Sequence, residues 1–197
     1  MKLYYAPGAC SLSPHIVAEE GGIPLELEKV DLRSHTTESG QDYRAVNPRG
    51  YVPALRLDNG DILTEGPAIV QYLADEIPGS PLAPPNGTIE RYKLQSWLNF
   101  ISTEIHKGFG PLFGGTDEEK TKAKERIAAR YALVEKDLGD NIYLTGDTFS
   151  VADAYLFVTL RWAKKFGVDT PPKLSVLRER IADRPAVQAA LAAEGLS

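Results

Sequence analysis

Two kinds of periodicity divide the chain. Up to about residue 76 the apolar positions fall mostly in short runs, several of them alternating with polar ones. Beyond residue 88 they recur every three or four residues. Met1–Ala6 is short and β-prone and predicts a first strand. Pro7-Gly8-Ala9 breaks it, and a helix follows that Gly21-Gly22 would stop, with Ser11 or Ser13 as its cap. Leu25–Leu32 alternates apolar and polar residues and predicts a second strand, parallel to the first through a right-handed crossover. Residues 33–50 are polar and turn-rich, with a short helical candidate over Gln41–Ala45. Ala54–Leu57 and Asp61–Thr64, joined at Asp58-Asn59-Gly60, predict a hairpin. Pro67 then suits the first turn of an amphipathic helix over residues 67–76.

The order β-α-β-(α)-β-β-α is a thioredoxin-like layout, assigned to residues 1–77. Residues 78–87 carry four prolines and two glycines and read as a linker. From there to residue 197 every periodic stretch is helical. Leu94, Leu98, Ile101, Ile105, Phe109 and Leu112 form one apolar stripe. Asp117–Leu138 is a charged helix with a thinner one. Ser150-Val-Ala-Asp153 is a capping box with Asp in place of the usual Glu, ahead of a stretch apolar almost all round. Asp153 is therefore expected to be a structural cap. Two final helices are expected over residues 173–193, broken near Asp183-Arg184-Pro185. The expected fold class is an α/β thioredoxin-like N-terminal domain followed by an all-α C-terminal domain over residues 88–197.

Composition narrows the classes of function. A net charge of −5 argues against general binding of nucleic acid or anionic membranes. No apolar run approaches a membrane span, and the first residues lack the order of a signal peptide, so a cytoplasmic protein is expected. The single cysteine excludes an internal disulfide. The three histidines show no metal-site spacing with it, so no metal is expected.

Candidate chemistry gathers at four places. Cys10 falls at or just before a helix N-terminus, where unpaired N–H groups and the helix dipole favour a thiolate; the alternative is a small buried thiol with no chemistry. Pro53 stands just ahead of a central-looking strand and cannot donate to a ladder. A cis Val52–Pro53 bond would turn the chain and leave the Val52 N–H and C=O to an extended ligand; a trans proline at a strand start is the alternative. The helix start beyond Glu65-Gly66 is suited to a carboxylate. In the helical half, Asn99, Thr103, His106 and Gly110 share a polar face with Lys107 beside it, which is either a binding face or a solvated one. His35 reads as a loop histidine, and Trp162 as a packing or pocket-lining residue.

The segments YYAPGACSLSPHI, NPRGYVPALRLDNGDILTEGPAIVQYL and FSVADAYLF, with FISTEIHK in the long helix, resemble the cytosolic glutathione transferases over essentially the whole chain. Cys10 together with His106-Lys107 points to the bacterial beta class. The resemblance implies conjugation of the glutathione thiolate to small hydrophobic electrophiles, with glutathione as co-substrate, no permanently bound cofactor, and a homodimer. It implies that Cys10, with Ser11 beside it, faces the glutathione sulfur, and that Cys10 and His106 are catalytic. Val52 before a cis Pro53 would pair with the cysteinyl backbone. Glu65 would take the γ-glutamyl ammonium, and the N–H of Gly66 the carboxylate. His106 and Lys107 would lie near the sulfur and the glycyl end. Asn99 and Thr103 match positions that reach the neighbouring subunit's glutathione. Phe109, Phe113, Tyr155 and Trp162 are candidates for the electrophile pocket. Three residues depart from the family's pattern: Gly66 replaces a hydroxyl residue, Tyr51 a more usual Gln, and His35 a Lys that helps hold the glycyl carboxylate. Two rival readings are thiol–disulfide exchange through Cys10 and a non-enzymic binding or regulatory module.

Overall fold

The computed structural model describes residues 1–196. Contacts divide the chain into two units, one of Met1–Ser80 with the chain from Arg184 onward, the other of Pro81–Asp183.

In the first unit β1 (Lys2–Tyr5) is followed by α1 (Leu12–Gly21), and Gly22 closes the helix in the left-handed region at φ 63°. β2 (Glu26–Asp31) runs parallel to β1 with Leu3 opposite Leu27, as the β-α-β reading predicts. A two-residue strand, β3 (Thr36–Thr37), pairs antiparallel with β2 and was not legible in the sequence. The helical candidate over Gln41–Ala45 is a single 3₁₀ turn, Tyr43–Ala45. β4 (Ala54–Arg56) and β5 (Ile62–Thr64) form the expected hairpin and lead into α2 (Gly66–Asp75). The sheet order is β3-β2-β1-β4-β5, with β4 antiparallel to β1.

Alternation sends Leu3 and its partner Leu55 to one side of the sheet and Tyr4 and its partner Ala54 to the other. Tyr4, Val30, Tyr43, Val52 and Ala54 make a continuous buried cluster. The apolar–polar alternation of β2 does not sort cleanly, because Glu28 is buried beside Val30. Its carboxylate accepts the Ser39 N–H at 3.0 Å and lies 3.4 Å from the Lys2 ammonium, and the Ser39 and Thr37 hydrogen bonds hold it down at about 2. That anchor ties down the polar segment carrying β3.

The second unit is helical. Residues 78–87 form no regular element. The Thr88 hydroxyl caps α3 (Ile89–Phe100) by accepting the Arg91 N–H. The buried Arg91 guanidinium donates to the Pro84 carbonyl at 2.9 Å, fixing the proline-rich stretch to α3. The expected single long helix is interrupted: a π segment, Ile101–Ile105, and a 3₁₀ segment, His106–Phe109, separate α3 from the short α4 (Gly110–Gly114). The predicted stripe Leu94, Leu98, Ile101, Ile105, Phe109 and Leu112 is buried throughout. α5 (Asp117–Leu138) starts on a capping box of Thr116 and Glu119.

α6 (Val151–Phe166) is buried almost all round and starts on the capping box read from the sequence. Asp153 accepts the Ser150 N–H at 2.9 Å, the Ser150 hydroxyl at 2.6 Å and the Leu144 N–H at 2.8 Å. α7 (Pro172–Ala182) packs on α6. The last helix, α8 (Pro185–Ala193), packs against α1 and so groups with the first unit, whereas the sequence boundary places it in the helical domain. The link is polar as well as apolar, since Arg184 donates to Glu20 from Nε at 2.5 Å and from a terminal nitrogen at 2.7 Å.

Candidate functional site

The loop from β1 to α1 is closed on itself. Buried Ser11 accepts the Ala6 N–H at 3.1 Å and donates to the Ala6 carbonyl at 3.2 Å, and Ser13 donates to the Cys10 carbonyl at 2.9 Å. Ser11 stands at the N-cap position of α1, one of the two expected, but neither hydroxyl bonds to the helix's first N–H groups, because both are spent on shaping this loop. The result is a half-buried Cys10 two residues ahead of α1, whose thiol donates to the Val52 carbonyl at 3.2 Å.

The peptide between Val52 and Pro53 is cis, one of the two alternatives left open by the sequence. The preceding carbonyl, that of Tyr51, accepts from the Tyr43 hydroxyl and from the Asn47 amide, each at 2.7 Å. The backbone is thus pinned immediately upstream of Val52. Among the described residues no group accepts the Val52 N–H. The Val52 carbonyl is not free as expected, since the Cys10 thiol takes one of its two lone pairs. Tyr51 itself is 67% exposed. His35 is held at φ 55° with its ring over Gly50, where a Cβ would come within 2.7 Å of His35 Cε1. Only glycine fits there, at φ 70°. His35 Nδ1 is buried without a hydrogen-bond partner, so the expected solvated loop histidine is instead half-buried.

Glu65 has φ 70° and ψ 115°, a conformation that costs a non-glycine residue about 1–3 kcal/mol. Its carbonyl accepts the N–H groups of Ala68 and Ile69, both at 3.0 Å, and its exposed carboxylate lies 3.4 Å from Arg49. Arg49, which also reaches the Thr64 hydroxyl at 3.3 Å, was not singled out in the sequence; its place in the NPRG turn is the only trace of it there. Gly66 is buried and opens α2, and a Cβ added to it would meet only Pro53 Cγ, at 3.9 Å. The turn of the backbone at Glu65 therefore presents the start of α2 on the same unit as Cys10 and Val52.

The other predicted residues belong to the helical unit. Asn99 and Thr103 are exposed on one face, and the Thr103 hydroxyl donates back to the Asn99 carbonyl at 2.9 Å. His106 Nδ1 lies 2.6 Å from the hydroxyl of buried Tyr155. Burial first, and the neighbouring Lys107 charge second, push the imidazole down to about 4, so it is neutral at physiological pH. Lys107 is exposed. The His106 and Phe109 rings stand edge-on to Trp162 at 4.9 and 5.4 Å, and Phe113, 61% exposed, does the same at 5.8 Å. Trp162 is thus buried in an aromatic cluster that also takes in Phe166, 5.0 Å from Phe113. Phe166 was missed, although it follows Trp162 by one helical turn. Among the described residues no three His, Cys, Asp or Glu side chains are grouped to hold a metal ion. No helix among them is long and apolar enough to cross a membrane.

The family models for the glutathione S-transferase N-terminal and C-terminal domains match residues 8–76 and 100–185. Glutathione S-transferase GstA of Escherichia coli O157:H7 is 48% identical, with the whole of both chains covered. A solved ternary complex of BphK, a bacterial GST, is 56% identical with a TM-score of 0.96 over the full length of both chains. The beta class glutathione S-transferase of Sphingomonas chungbukensis is 49% identical with the same score and coverage. The thioredoxin-like sheet, the helical unit and these matches agree, and the chain belongs to the glutathione S-transferase family.

Proposed function

We propose that this transferase joins the glutathione thiolate to small hydrophobic electrophiles, with its first unit holding glutathione in extended form. The observation that carries the reading is the unpaired N–H of Val52, held rigidly beside the only cysteine of the chain. An edge of that kind takes one backbone strand of a peptide. Glutathione supplies the strand, with Cys10 and Ser11 at its sulfur end. Its γ-glutamyl ammonium goes to Glu65 and its carboxylate to the Gly66 N–H at the start of α2. Tyr51 and His35 flank the same segment.

Conjugation ionises the thiol and forms one bond from sulfur to the electrophilic carbon. In a substitution the leaving group departs with its electron pair while the thiol proton goes to solvent, and in an addition the displaced π electrons take up a proton. Positioning and thiolate stabilisation lower the barrier. In the helical unit His106 is a neutral imidazole that offers an acceptor, and Lys107 provides a cation. The rings of Phe109, Phe113, Tyr155 and Trp162 offer an apolar face to the electrophile. Glutathione is a co-substrate, and no permanent cofactor is invoked. A homodimer is part of the proposal, with Asn99 and Thr103 directed to the neighbouring subunit's glutathione, as is a cytoplasmic location. Nucleic acid and membranes play no part in it.

Thiol–disulfide exchange is a second reading, favoured by the half-buried single thiol. Cys10→Ser separates the two. Exchange with a glutathione mixed disulfide should vanish, while conjugation of an aryl halide persists at a reduced rate. A wild-type protein that consumes no electrophile in the presence of glutathione contradicts the conjugation reading.

A further inference from the structure

Just beyond α8 stands a residue whose placement its local sequence does not explain. Glu194, which follows α8, has a side chain that is fully buried. One oxygen lies 3.0 Å from Nδ1 of His15, itself 3% exposed on α1, and the other accepts the Gly8 N–H at 2.8 Å. Gly8 belongs to the loop that delivers Cys10, at φ 69°, and Leu196 lies against it. A carboxyl group buried this deeply is costly unless its acceptors are used, and here both oxygens are committed, one to the loop and one to the helix. The ring of His15 also lies 6.4 Å from that of Tyr5, the last residue of β1. Strand end, loop and helix thus converge on one carboxyl group from the far end of the sequence.

We propose that Glu194 is a positioning residue for the glutathione end of the site. By tying Gly8 to His15, it fixes the path of residues 6–13 and so the distance between the Cys10 thiol and the Val52 carbonyl. Arg184 provides an internal control. Its paired hydrogen bonds to Glu20 also join the C-terminal segment to α1, but at the opposite end of α1 from Cys10. A generic fastening role would make the two residues equivalent; a positioning role makes Glu194 alone matter to glutathione.

The inference rests on the reading of Cys10 and Val52 as glutathione-binding, and the test separates the two. Steady-state kinetics are measured on the wild type, Glu194→Ala, Glu194→Gln and Arg184→Ala, alongside amide hydrogen exchange of residues 6–13. Glu194→Ala should raise the KM for glutathione about fivefold or more, leave the KM for the electrophile within about twofold, and speed exchange in the loop. Glu194→Gln keeps an acceptor for the Gly8 N–H and should recover most of the loss. Arg184→Ala should lower the melting temperature with neither change. If Glu194→Ala does not fold, Glu194→Asp, too short to reach both partners, should show the same pattern in weaker form. An unchanged KM for glutathione with unchanged loop exchange overturns the proposal, as does an equal effect of Arg184→Ala. A wild type inactive with glutathione refutes the conjugation reading instead, and loop exchange alone then decides whether Glu194 fixes the loop.

Discussion

At the scale of single residues, two side chains are held in states that cost free energy. Glu65 is strained in its backbone, and His106 is neutral because it is largely withdrawn from water, though not fully buried. The second has a consequence for stability. In the folded chain His106 takes up a proton near 4, whereas an unfolded histidine does so near 6.5. Between those values the unfolded chain binds more protons, so stability falls as pH drops from 6.5 to 4 and this contribution levels off below. The full effect is at most about 3 kcal/mol. Glutamine keeps a hydrogen-bonding group at the position but cannot be protonated. The difference in stability between His106→Gln and the wild type, followed by denaturant melts, should therefore shift in the variant's favour as pH falls through this range. A difference independent of pH would mean that the imidazole is solvated. Residue identity was informative where a side chain has one conspicuous role, as with Cys10 and Pro53. It was silent on Glu28 and Glu194, because a carboxylate is buried only when distant partners are supplied by the fold.

At the scale of elements, α6 rests on one carboxylate. Burial raises Asp153 to about 6, against the pull of its hydrogen bonds, and at neutral pH it is ionised with three donors aimed at it. Truncation leaves the Leu144 N–H and both Ser150 donors buried without an acceptor. Asp153→Ala should destabilise the chain by about 3–5 kcal/mol, seen as a fall of about 6–20 °C in melting temperature. A fall under about 2 °C would contradict the anchoring role. This cap was legible because a capping box is local, written within four residues. The hairpin and the parallel β-α-β unit were legible for the same reason. β3 was not, since two residues carry no period and its place is set by Glu28 gripping Ser39. The π segment was hidden too, because the spacing of Leu98, Ile101, Ile105 and Phe109 fits an uninterrupted helix equally well.

At the scale of the whole molecule, the two periodicities correspond to the two units, apart from the C-terminal segment. No period in residues 184–196 points to the first unit. What draws them there is a set of contacts separated by more than 160 residues, Arg184 with Glu20 and Glu194 with Gly8 and His15. The residues of the first unit proposed to hold glutathione, by contrast, all fall between Cys10 and Gly66, so they were readable together in one stretch of sequence. The central claim is that Val52, Glu65 and Gly66 form one glutathione-binding surface, and calorimetric titration with glutathione tests it most directly. Glu65→Ala should abolish measurable binding. Gly66→Ser adds a hydroxyl where the structure has room for it, and one charge-assisted hydrogen bond of about 1.5–3 kcal/mol would tighten binding about ten- to a hundredfold. Absence of binding by the wild type and by both variants would contradict the assignment of this surface to glutathione.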